Sequence, residues 1–284
     1  MKIKIIVLLT ILILTSSGFG AIAQNNNNLN QEKLMLDEVP IWNSGESWTY
    51  KIDQFTYEYF YEGQGFYFEG GINDFTWTVK NVGSDTYELD FTGKLNCDYE
   101  IRISSSLRTF IFTGLIDASK TRFTGTLIFS KSNLNFQDIS GSIVGITKVN
   151  IGNLPISIPL PFKMTFDSEL TTDFPLFDFP LSNNKFWNLP SMDIVLNMQV
   201  GGIFGLIKMP IKFTTHYSWI PLAFHCKEKQ SITVAAGPFD AWEIESTFFN
   251  LFRYYYSPEV KNIVKVDASL EYGSANGELI SYDI

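Results

Sequence analysis

The chain has 284 residues, of which 45% are hydrophobic and 15% aromatic, with 21 Lys and Arg against 30 Asp and Glu and a formal net charge of −9. An acidic balance of this size repels phosphate backbones and excludes a basic nucleic-acid stripe. Two cysteines and two histidines leave little material for metal clusters or for thiol and imidazole catalysis.

The first 23 residues read as an export signal. Lys2 and Lys4 give a positive start, Ile5 to Leu14 is apolar apart from Thr10, and Ala21-Ile22-Ala23 is an A-x-A cleavage site, so a mature chain is expected to begin near Gln24. The alternative is a retained N-terminal anchor, although the apolar run is shorter than the ~20 residues a spanning helix needs. Cleavage would leave 19 bases against 30 acids, a net charge of −11. The expected location is outside the cytoplasm, secreted or held at the cell surface, with no transmembrane helix in the mature chain. Residues 24–38 are polar and Asn-rich and read as a flexible leader. The remainder divides into an N-terminal β meander unit, 39–178, and a C-terminal β unit, 179–284, expected to pack into one globule.

Asn43-Ser44-Gly45 is a turn signal, and Ser47 to Phe55 alternates as a strand. Phe55 to Gly71 reads as an aromatic hairpin. Tyr57, Tyr59 and Tyr61 share one face at period two, Gly63-Gln64-Gly65 turns, and Phe66 to Phe68 returns. Phe75 to Val82 and Thr86 to Leu95 flank a further turn at Gly83-Ser84-Asp85. The pattern apolar, Ser/Thr, Gly, any, apolar then recurs around Gly93, Gly114, Gly125 and Gly141 at irregular spacing. Mid-strand glycines mark bends or close backbone approach, so this stretch reads as a meander forming a strongly curved sheet. Six prolines from Pro155 to Pro190 make the next region edge strand, loop or domain junction. Met192 to Trp219 is again strand-like, and no segment has a capped 3.6-residue period. The fold class expected is all-β: an antiparallel curved sheet, barrel-like or half-barrel, with two related sheet units as a variant.

The search for chemistry finds no nucleophile elbow, no zinc signature and no phosphate loop. Glu243 and Glu245 share a strand face and are the nearest thing to an acid pair, with a solvated outer face as the plainer reading. Asp167, Glu169, Asp173 and Asp178 cluster without a calcium-loop register. No cofactor, metal or catalytic residue is expected. In an exported chain Cys97 and Cys226 either form a disulfide or remain two buried thiols. The candidate ligand-binding residues are Tyr57, Tyr59, Tyr61, Phe66, Phe68 and Trp77, which would either floor a cavity for an apolar small molecule or lipid or simply fill the sheet. A cell-surface protein partner is the other reading.

The last fifty residues carry an ordered series of marks: Val234 to Trp242 (VAAGPFDAW), Tyr255 to Lys265 (YYSPEVKNIVK) and Glu278 to Tyr282 (ELISY). They resemble a family of uncharacterised extracytoplasmic β proteins, a TapB-like domain of unknown function, over about 80 residues. Gly45 to Trp48 and Phe179 to Trp187 look like that family's opening strands. Pro238 stands where the family has Thr or Ser, and Lys261 where it has Gly. The resemblance implies an antiparallel, barrel-like or half-barrel fold and no established activity.

These readings lead to an expected function: an exported, non-catalytic binding module for an apolar or lipid-like ligand. A structural or interaction protein of the cell surface is the alternative, and a carboxylate-dependent hydrolase comes third.

Overall fold

The computed structural model describes residues 38–61, 64–104, 109–151, 157–190, 193–201, 207–214, 216–217, 220–221, 223–247, 252–270 and 273–284. The segment read as an export signal, and the expected leader as far as residue 37, lie outside the described residues. Among those residues there is no helix, and the strands are β1 (Ser47–Tyr61), β2 (Gln64–Val82), β3 (Thr86–Ser104), β4 (Thr109–Ser130), β5 (Phe136–Ile151), β6 (Ser157–Leu170), β7 (Lys185–Asn188), β8 (Asp193–Gly201), β9 (Ile207–Thr214), β10 (His216–Tyr217), β11 (Ile220–Pro221), β12 (Ala223–Val234), β13 (Gly237–Ser246), β14 (Phe252–Ser257), β15 (Asn262–Leu270) and β16 (Gly273–Asp283).

Fourteen strands form one antiparallel curved sheet in the order β7-β12-β13-β14-β15-β16-β1-β2-β3-β4-β5-β6-β8-β9, and the two end strands do not pair. The small β10-β11 pair stands apart. Two wings therefore leave a common centre, and β7, between β6 and β8 in sequence, pairs with β12 at the opposite end of the sheet. The last strand, β16, pairs with β1 from Ser47↔Asp283 to Tyr57↔Gly273. The all-β, antiparallel, curved architecture expected from the sequence is the one observed.

The strands are longer than the sequence suggests. The return arm of the aromatic hairpin and the Phe75–Val82 run are one continuous β2 of 19 residues. Asp74, at φ 51°, sits at a register shift between Asn73 and Thr76, so a bulge takes the place of a turn. Strict alternation in β3 puts Tyr87, Leu89, Phe91, Leu95, Cys97 and Tyr99 on the inner, buried face. Thr92, Lys94, Asn96 and Asp98 between them are exposed.

The recurring glycine pattern has a packing cause. Each of its four glycines sits directly across from an aromatic ring: Gly93↔Phe123, Gly114↔Tyr99, Gly125↔Phe91 and Gly141↔Phe166. Gly125 and Gly141 also face each other. A Cβ on Gly125 would lie 2.4 Å from Phe91 Cζ, and one on Gly141 would lie 2.6 Å from Phe166 Cζ. The bare backbone thus makes room for Phe91 and Phe166, whose ring planes lie at 19° with centroids 6.5 Å apart. Phe75 and Phe123 stack beside them at 5.6 Å. Burying such rings stabilises by roughly 1.5–3 kcal/mol each.

The Pro-rich segment does more than cross an edge. Phe174, Leu176, Phe177 and Leu181, ahead of β7, are all buried in the central cluster. Tyr254, wholly buried on β14, donates its hydroxyl hydrogen to the Leu176 carbonyl, and Trp187 Nε1 donates to Pro175 O at 3.4 Å. A backbone with few ladder donors is thus held over the inner face by side-chain bonds. Pro159 and Pro161 sit in β6 beyond Lys163, where pairing with β8 stops, so no β8 carbonyl loses a donor to them.

The loop Pro258–Lys261 and the start of β15 are clamped by three aromatics from the start of the fold. Trp48 Nε1 donates to Val260 O at 2.7 Å, Trp42 Nε1 to Lys261 O at 3.0 Å, and the Tyr50 hydroxyl to Ile263 O at 2.9 Å. Lys261 itself is left-handed, φ 57°. The tight turn that favours Gly there forms with Lys in its place.

The Cys97–Cys226 disulfide is not formed. Both cysteines are buried, on β3 and β12, with six strands between them in the sheet order. Burial pushes the Cys97 thiol up to about 12.

Candidate functional site

The inner face changes character along the strands. At the end near Trp48 and Phe129 it is closed, and both side chains have no exposed surface. Towards the other end one continuous row of partners runs Tyr57↔Phe68↔Tyr99↔Gly114↔Val149↔Ile158 across β1 to β6. The neighbouring row is Phe66↔Ile101↔Phe112. Phe66, Phe68, Ile116, Phe162 and Met164 are only half-buried there, and Ile158 is 40% exposed. This is an apolar surface that the protein covers incompletely.

Its polar content is small. The Thr147 hydroxyl donates to Leu115 O at 3.2 Å and lies 3.0 Å from the Tyr99 hydroxyl, so a buried chain of bonds satisfies both groups. Burial raises the Tyr99 pKa and outweighs the hydrogen bond it shares with Thr147. By register, the acids Asp98 and Glu100 and the base Arg102 fall on the opposite face. The site therefore suits a ligand without charge at its buried end.

The candidate residues divide. Phe66 and Phe68 lie on the half-buried surface, with ring centroids 5.7 Å apart. Tyr57 floors it, 1% exposed, with its ring 5.4 Å from Phe66. Trp77 belongs to the closed end, in the row Trp48↔Trp77↔Phe91, packed on Tyr50 at 5.0 Å, and fills the core. Tyr59 pairs with Phe66 and Tyr61 with Gln64 in register, while their side chains lie outside the described residues. Leu160, Phe162 and Met164 were not singled out from the sequence. Their signal is the period-two run Ile158, Leu160, Phe162, Met164, Phe166, which the two interleaved prolines obscure.

The carboxylates are otherwise engaged. Glu243 and Glu245 sit on the outer face of β13 in a charged ladder. Glu243 pairs with Lys227 and with Arg253 at 3.1 Å each, and Glu245 with Lys227 at 2.7 Å. His225 Nδ1 is 3.8 Å from Glu245, and its ring stacks on Phe186 at 4.1 Å. Asp167 and Glu169 both accept from Asn197 Nδ2, Asp173 accepts from Gln137, and Asp178 pairs with Lys185. Among the described residues no group of three His, Cys, Asp or Glu is placed to hold a metal ion, and no helix is long and apolar enough to cross a membrane.

No family model matches the chain. A sequence search of curated proteins finds no match. Among solved structures, the chain is similar to a beta-barrel-like protein of a domain of unknown function from Brucella abortus, with 10% identity, a TM-score of 0.29, and coverage of 85% of this chain and 98% of that one. The fold assignment stands on the strands themselves: one large, open, antiparallel β sheet.

Proposed function

We propose that this protein is a non-catalytic binding module for an apolar or lipid-like ligand. The ligand would lie on the half-buried inner face bounded by Phe66, Phe68, Ile116, Phe162 and Met164. The observation that carries this reading is the gradient of burial along one apolar face, closed at the Trp48 end and incompletely covered at the Ile158 end. Residues 1–23, read as an export signal, and the TapB-like marks of the closing strands support a module outside the cytoplasm. Native mass spectrometry of chain purified without detergent tests it, together with titration of 11-dansylaminoundecanoic acid. A copurifying apolar mass and saturable binding, weakened at least tenfold by Phe162→Asp, are expected. A wild-type chain that shows neither overturns the reading.

A second reading rests on β7, a four-residue edge strand whose Phe186 is 60% exposed. An edge with an exposed ring suits a protein partner at the cell surface. Cross-linking that traps a partner through position 186, with no fatty-acid binding, would favour it over the first.

A further inference from the structure

The outer face of β4, β5 and β6 differs from that of β12, β13 and β14. There the outward positions carry paired charges, in the Lys227, Glu243, Glu245 and Arg253 ladder. Here Val144 is 46% and Ile146 42% exposed, side by side on β5. Across the ladder Val144 lies between Arg122 and Lys163, and Ile146 lies opposite Pro161. Lys148 follows, opposite Pro159. Pro159, Pro161, Arg122, Lys148 and Lys163 are all exposed. Neither Arg122 nor Lys163 forms an ion pair among the described residues. In a chain of net charge −9 this is a local excess of positive charge around exposed aliphatic side chains.

We propose that this outer face docks on the surface of an anionic lipid bilayer. Aliphatic side chains that enter the acyl boundary and basic side chains that remain among the headgroups are the two contributions such binding needs. Lys and Arg suit the boundary because their stems lie along apolar surface while their charges stay hydrated. The charge complementarity selects the occupant, since a neutral apolar partner would gain nothing from Arg122, Lys148 and Lys163. The patch lies on the face opposite the inner apolar surface, so the docking does not rest on that surface's ligand.

Vesicle co-sedimentation of the full chain tests the proposal, with phosphatidylcholine vesicles compared with vesicles containing 30 mol% phosphatidylglycerol. Each basic side chain near an anionic surface is worth about one factor of five in partitioning, so Arg122→Gln with Lys163→Gln should lower binding to the anionic vesicles by about 30-fold. Binding to neutral vesicles, and of 11-dansylaminoundecanoic acid, should not change. Val144→Asn with Ile146→Asn should weaken binding to both vesicle types. The segment Ile5 to Leu14 is common to all the proteins, so differences between them report on the patch. Wild-type chain with no preference for anionic vesicles overturns the proposal, as does a glutamine pair that binds like wild type. A change in the mass at sedimentation equilibrium without a change in vesicle binding would make a second copy the occupant and equally overturn it. Should the asparagine pair fail to fold, the glutamine pair, at exposed positions, decides alone.

Discussion

Lys261 and Glu46, 215 residues apart, form an ion pair with Nζ 2.6 Å from Oε1. The pair joins the residue before β1 to the turn between β14 and β15. Glu46 also accepts from Asn43 Nδ2 at 2.8 Å. Burial alone would raise the Glu46 pKa, but the bonds from Lys261 and Asn43 outweigh it and hold the carboxyl below the ordinary 4.5. A lowered folded pKa means stability that is present above the unfolded value and lost as pH falls through the folded one. Glu46→Gln should therefore cost about 1–3 kcal/mol at pH 7 and much less at pH 3. Urea unfolding of both proteins at the two pH values measures the difference, and an equal cost at both would show that the charge is not what stabilises the turn.

Tyr254→Phe removes one hydroxyl and leaves the buried Leu176 carbonyl without its donor. The expected loss is about 1–3 kcal/mol, or several degrees in Tm for a chain of this size. Thermal unfolding followed by circular dichroism checks it. An unchanged Tm would mean that the segment over the inner face is held by apolar packing alone.

Gly125→Ala should be among the most damaging of small substitutions. The new Cβ would meet Ser140 O at 2.1 Å and Phe91 Cζ at 2.4 Å, and the first of these is backbone and has nowhere to go. Overpacking of this kind costs about 1–3 kcal/mol or more. Loss of near-ultraviolet circular dichroism from the Phe91 and Phe166 cluster should accompany a Tm lowered by at least 5 °C.

The two thiols should be silent in the native protein. Both are buried, and the Cys97 thiol is pushed up to about 12, so little thiolate is present at pH 8. Reaction with a chromogenic disulfide reagent should give no thiol in buffer and two in guanidinium without reductant. Two thiols that appear only after reduction would show a disulfide where the structure has none.

Much of this fold is legible in the residues because strand period and turn chemistry are local. Asn43 to Gly45, Gly83 to Asp85 and the alternation of β3 can be read directly, and so can the exclusion of helix. The Phe174 to Leu181 segment is not legible in this way. Its prolines signal loop, and only contacts with Tyr254 and the central rings, far away in sequence, bury it. The four glycines show the middle case. The sequence marks them as places of close approach, but the aromatic partners across the ladder depend on register, which no short motif encodes. For the site, the hairpin carrying Tyr57, Phe66 and Phe68 is legible as an aromatic surface, whereas its far wall on β6 is hidden by Pro159 and Pro161. Lys261 shows the converse: a residue that reads as wrong for its turn is retained in a left-handed conformation by a carboxylate from the other end of the chain.

The seam between β1 and β16 has a consequence for how the molecule assembles. From β1 to β6 and from β12 to β16 each strand finds its partner a short loop away, while the seam joins Ser47 to Asp283. Synthesis proceeds from the N-terminus, so the β1–β6 wing can form early but must wait with one long edge of unpaired amides and carbonyls. Those groups are a template for any passing strand until the eleven residues of β16, Gly273–Asp283, arrive to occupy them. The slow and vulnerable step of folding is thus the final one. A chain shortened by its last strand would present that edge permanently, and it should appear in cells as aggregate rather than as a less active monomer.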